Sequence, residues 1–173
     1  MTFQRAIAVT VGAVLMVLCQ VVVAPAIAIG GVVPNFLLAY ALAVALARPQ
    51  GLGLALPVAM GLLFDLLGGG PIGAMALLLL LATCALRYLH RMLDNDTLFI
   101  PLGLLVVAVF VVDLLYAVLL VACGYPVPLG SALLLRGLPC ALYDTVLAVA
   151  AFLAMRAILG RIDARQHELP LVR

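Results

Sequence analysis

The stretch LFIPLGLLVVAVFVVDLLYAVLLVA, Leu98 to Ala122, decides the fold. It carries one charge, Asp113, and is otherwise apolar on every side of a helical wheel. A surface helix of a soluble domain keeps a polar face, which this stretch lacks. As a helix it is long enough to cross the hydrocarbon core of a bilayer, which takes about 20 residues. The rest of the chain has the same character. Of 173 residues, 68% are hydrophobic and 9% charged, and the mean hydropathy is +1.38. Soluble domains hold roughly 45–50% apolar and about 25% charged residues. A soluble core cannot absorb this much apolar surface, so lipid is the solvent the sequence is written for.

Working outward from Leu98–Ala122, turn signals and charges divide the chain into six apolar segments: Phe3–Gly30, Pro34–Ala47, Leu52–Leu67, Ile72–Leu86, Leu98–Ala122 and Gly137–Leu159. The run that follows Arg5 is too long for the apolar region of a signal peptide and reads as a retained span. The first and the last two segments span comfortably. The middle three hold only about 14 to 16 residues, so they are expected to extend into their flanks or to sit where the bilayer is thinned. The links Gly30–Pro34, Arg48–Gly51 and Gly68–Pro71 are tight and rich in Gly and Pro, which end helices and favour antiparallel neighbours. Arg87 to Thr97 reads as the one polar loop, with N-cap choices for the fifth helix at Asp94–Thr97. Cys123–Ser131 forms the fifth link, and the tail from Arg161 to Arg173 is too short to fold alone. The expectation is all-α: one transmembrane domain over residues 1–173, a polytopic integral membrane bundle of about six helices.

Arginine placement orients the bundle. All nine basic residues are Arg. Arg5, Arg48, Arg87, Arg91, Arg156, Arg161 and Arg165 flank the termini and alternate links, whereas the other links carry only Arg136. The positive-inside rule then puts both termini and the second and fourth links in the cytoplasm. Scattered arginines at segment ends make no basic stripe, so nucleic acid is not an expected partner.

Four ionisable residues lie within or beside the spans: Asp65, Asp113, Arg136 and Asp144. A charge at membrane depth costs from about 2.5 kcal/mol upward, so such groups face protein or water and take partners. One reading pairs Arg136 with Asp65 or Asp144 to fix how helices dock. Another places Asp113 or Asp65 on a proton or substrate path, and a third leaves the aspartates protonated or wetted at an interface. Cys19, Cys84, Cys123 and Cys140 form no Cys-x-x-Cys pair, and neither His90 nor His167 has a ligand partner at helical spacing. No metal or cofactor is therefore expected. The Gly68–Gly73 run lacks the Lys of a phosphate loop, and no catalytic constellation stands out, so the chain is not read as an enzyme. Small residues such as Gly53, Ala55 and Gly61 suit close helix packing.

Three fragments in order carry a resemblance: Pro34-Asn35-Phe36-Leu37-Leu38, Gly61-Leu62-Leu63-Phe64-Asp65-Leu66-Leu67, and Pro71-Ile72-Gly73-Ala74-Met75-Ala76-Leu77. Together they resemble the rod shape-determining MreD family, over residues 34 to about 80. The resemblance implies a non-enzymatic scaffold in the bacterial inner membrane. Its implied setting is the cell-elongation and peptidoglycan-synthesis machinery, with an MreC-like partner and, more widely, MreB, RodA and a penicillin-binding transpeptidase. It also implies packing or docking roles for Gly61, Asp65, Pro71 and Gly73, and assigns nothing to Asp113, Arg136 and Asp144. The rival reading is the small-molecule-binding membrane subunit of a vitamin-type, energy-coupling factor uptake transporter, since short spans broken by Gly and Pro can mark a site. That reading requires polar side chains to converge in the outward half, where Asp65, Arg136, Asp144 and Tyr125 are the candidates. A lipid-modifying enzyme would need a denser polar motif.

Overall fold

The computed structural model describes residues 3–47, 53–93 and 98–167, with backbone alone for 165–167. The Arg48–Gly51 link, the Asp94–Thr97 caps, the Arg165 side chain and the end of the tail from 168 lie outside the described residues. Among the described residues the chain is six helices and no strand: α1 Phe3–Ala26, α2 Phe36–Ala47, α3 Ala55–Gly68, α4 Ala74–Met92, α5 Phe99–Ala122, and α6. Helix α6 begins with the turn Leu129–Ser131, passes through a π-helical stretch Ala132–Gly137 and continues as Leu138–His167. Helices α1, α4, α5 and α6 are long and apolar enough to cross a membrane.

The short spans resolve in two ways. Helix α4 reaches 19 residues by taking in Arg87 to Met92, so that part of the expected polar loop is helix. Helices α2 and α3 stay at 12 and 14 residues, or about 18 and 21 Å at 1.5 Å per residue. Length is no obstacle for α2, because every residue from Leu37 to Leu46 is buried. An all-round apolar helix is stable when protein surrounds it on every side, and α1, α3, α4, α5 and α6 all pack on it. Helix α3 does meet lipid, through the exposed Leu62, Leu63, Leu66 and Leu67. Helix α6 is longer than the sequence suggests at both ends, so the segment from Arg161 to His167 is the end of a helix.

Around α2 the outer helices turn narrow stripes inward. On α5 these are Pro101, Leu105, Val109, Val112, Asp113 and Ala117. On α6 they are Ala141, Asp144, Ala148, Phe152, Met155 and Leu159. The three- and four-residue steps are those of one helix face. Asp113 and Asp144 thus lie on inward stripes. Helix α1 is the least enclosed. Within its most apolar 18 residues only 11% are buried by protein, and Val11, Val14, Leu18 and Val22 are open to lipid.

Polar tethers fix α1. The Tyr40 hydroxyl donates to the Val9 carbonyl at 2.7 Å, and Gly12 leaves room for that ring, since a Cβ there would overlap the Tyr40 oxygen. At one end of the bundle Arg5 Nε donates to Asp163 Oδ1 at 2.8 Å, joining the start of α1 to the end of α6. At the other end Tyr143 donates to Ile27 O at 3.1 Å and Tyr125 to Gly69 O at 2.8 Å, gathering the first, third and fifth links. Gly30 and Gly31, with φ of +60° and +81°, form the two-residue turn that returns the chain toward α2, a conformation that favours Gly.

Candidate functional site

The α3–α4 hairpin concentrates the motif residues. Gly61 and Asp65 are one helical turn apart on the same face of α3, and that face meets the start of α4. A Cβ at Gly61 would lie 2.4 Å from Ala76 Cα and 2.5 Å from its nitrogen, so only hydrogen lets the two backbones touch. One turn on, Asp65 is 1% exposed and receives the free N–H groups that begin α4. Gly73 N donates to Oδ2 at 2.9 Å and Met75 N at 3.1 Å, with Ala76 N at the outer limit of 3.5 Å. The first N–H groups of any helix have no partner within it, and an anion there also meets the positive end of the helix dipole. Between the two helices Pro71 accepts from Ala74 N at 3.1 Å, and Gly73 stands at φ +93°, in the left-handed region. Gly61, Asp65, Pro71 and Gly73 thus form one device, a buried carboxylate capping the next helix across a tight turn.

The second polar centre joins α1, α2 and α6. Asn35 Oδ1 caps α2 by accepting from Leu38 N at 2.9 Å, and Asn35 N donates to Asp144 Oδ1 at 2.7 Å. Gln20 of α1 grips both sides of this point, with Nε2 donating to Pro34 O at 3.2 Å and Oε1 accepting from Phe36 N at 2.8 Å. Asp113 lies close enough to Asp144 for their charges to interact. Asn35 Nδ2, Asp113 Oδ2 and Asp144 Oδ2 are buried without a hydrogen-bond partner among the described residues. Sequence reasoning missed Gln20, although a lone amide within the apolar run from Ala6 to Val33 was signal enough.

Arg136 corrects the expected ion pair. It is exposed, and among the described residues it bridges neither Asp65 nor Asp144, whose bonds go to backbone N–H groups. The cause is local. The buried positions Ala132, Gly137, Ala141 and Asp144 are separated by five, four and three residues, and the five-residue step is the π-helical stretch, closed by Leu138 N donating to Leu133 O. Regular helical steps back from Asp144 through Ala141 reach Gly137, so Arg136, about 100° further round the helix, falls off the inward stripe and onto a cavity of about 540 Å³ at the end where the first, third and fifth links gather. Tyr125 lines this cavity with Arg136. Asp65 and Asp144 are buried elsewhere, so the four polar groups that a transporter subunit would need do not converge.

No curated protein and no solved structure matches the chain. The family described as rod shape-determining protein MreD matches residues 2–162, which takes in the hairpin device, the Asn35 cap, helices α1 to α5 and all but the last turn of α6. The chain belongs to the MreD family of rod shape-determining membrane proteins.

Proposed function

We propose that the chain is a non-enzymatic scaffold of the cell-elongation machinery in the bacterial inner membrane, holding an MreC-like protein and through it the wider set of MreB, RodA and a penicillin-binding transpeptidase. The observation that carries this reading is where the polar groups go. The motif residues Gly61, Asp65, Pro71 and Gly73 are engaged with one another, and Asn35 and Gln20 are engaged in capping and clamping. What the protein offers a partner is apolar helix surface, above all the open face of α1 along Val11, Leu15, Leu18 and Val22. Helices associate in lipid through close packing and hydrogen bonds between them, so partner contacts belong on such faces.

In this reading both termini and the second and fourth links are cytoplasmic. The Arg5–Asp163 pair supports the arrangement by bringing the start of α1 and the end of α6 to one end of the bundle, as an even number of crossings requires. Co-purification from native membranes in mild detergent tests the scaffold. The MreC-like protein is expected to travel with the wild type and to be lost when bulky polar residues replace Leu15 and Leu18. Its absence from the wild-type preparation overturns the reading. Labelling of single introduced cysteines near residues 90 and 160 is expected from the same side of the membrane.

A further inference from the structure

We infer that the cavity at the Arg136 end binds the headgroup phosphate of an anionic membrane lipid, with one acyl chain against its apolar wall. The inference is independent of the scaffold reading. Three observations support it.

The first is charge. Arg136 is the cavity's cation, no carboxylate lines the space, and Arg136 makes no ion pair among the described residues. A guanidinium matches phosphate with two parallel N–H···O bonds. The second is the wall. Val21 of α1, Leu67 of α3 and Leu120 of α5 line the same space, while the Gln20 amide, also at its edge, is already engaged with Pro34 and Phe36. A cation above a surface with no other free charge selects an anion that carries hydrocarbon. The third is depth. Leu120 is in the last turn of α5, so Arg136 stands level with the end of a spanning helix, where headgroups lie. The space of about 540 Å³ is of the size that ligand sites have, roughly 300–1,000 Å³.

The chain contains no Trp, so a Leu67→Trp variant of the full-length protein places one fluorophore at the cavity wall. It is reconstituted in phosphatidylcholine vesicles containing a small fraction of phosphatidylglycerol brominated on its chains, or the same fraction of brominated phosphatidylcholine. The expected result is stronger quenching by the phosphatidylglycerol. Adding Arg136→Gln should weaken that preference about tenfold, the equivalent of one lost charge-assisted contact, while Arg136→Lys keeps part of it. Arg5→Gln, at the opposite end of the bundle, should leave it unchanged. Any of four results overturns the inference: equal quenching by the two lipids, an undiminished preference in Arg136→Gln, an equal loss in Arg5→Gln, or full reversal by inorganic phosphate, which would assign the site to free phosphate. Exclusion of both lipids from the introduced indole also overturns it, since a second copy of the chain would then cover the cavity. Arg136→Lys retains the charge and keeps the test valid if Arg136→Gln fails to fold.

Discussion

The α3–α4 hairpin and the α5–α6 hairpin each bury acid, and they treat it differently. In the first, Asp65 meets a ready-made set of donors, the opening N–H groups of α4. In the second, Asp113 and Asp144 lie near each other, and each keeps one oxygen without a hydrogen-bond partner among the described residues. One carboxylate is consumed by architecture, and the other two are held in the core with unused capacity. The difference lies in the helices themselves. A helix start delivers several orphan donors to one point, whereas the middle of two long helices has already paired its backbone internally and offers none.

The largest effect should follow from breaking the satisfied side. Asp65→Ala strands the buried N–H groups of Met75 and Ala76, at about 1–3 kcal/mol per buried donor, on top of charge-assisted bonds of similar size. A loss of at least about 3 kcal/mol is expected, read as the unfolding midpoint in mild detergent titrated with a denaturing one. A midpoint near wild type would mean that Asp65 does not hold the hairpin. Gly61→Ala comes next. The added methyl would lie 2.4 Å from Ala76 Cα, and because backbone cannot step aside as a side chain can, the helices must separate. About 1–3 kcal/mol is expected from such overpacking, with Gly61→Val worse than Gly61→Ala in the same titration.

The α5–α6 side is sharpened by a charge exchange. Arg136→Asp paired with Asp144→Arg, or with Asp65→Arg, should give no rescue over the single changes, because Arg136 points into the outer cavity. Arg136→Asp alone is expected to cost under about 1 kcal/mol, in line with an exposed charge. Recovery of stability in either double variant would restore the buried ion pair between Arg136 and that aspartate.

Much of this contrast was legible in the sequence, and the limits have physical causes. Membrane residence and the antiparallel order of helices follow from apolar runs, Gly and Pro links and arginine placement, which are local signals. Asp65 also stood out as an acid in lipid and Gly61 as a small residue suited to close packing, whereas Gly73 entered only through the family resemblance, since a left-handed turn shows only in the backbone. The fate of Arg136 did not stand out, because which charges meet across helices depends on which helix faces pack together, and that is set by residues far apart in the chain. Nor did the engulfing of α2. Its twelve residues resemble a lipid-facing span too short for its task, and only the packing of five other helices around it makes the length suitable.

The smallest expected effect is also the most direct comparison of the two hairpins. Asp→Asn preserves shape and replaces one acceptor oxygen by a donor. At Asp65 that donor must face N–H groups on either side, since Met75 N approaches both oxygens at 3.2 and 3.1 Å, and a cost of about 1–3 kcal/mol is expected. At Asp113 the same change should shift stability by less than about 1 kcal/mol, because Oδ2 has no hydrogen-bond partner among the described residues to lose. Measured side by side in one detergent, the two substitutions share size and the exchange of one oxygen for an NH2 group, so any difference reports the surroundings. Equal losses at both positions would show that Asp113 is as fully engaged as Asp65 and would remove the distinction between an acid spent on the fold and one kept in reserve.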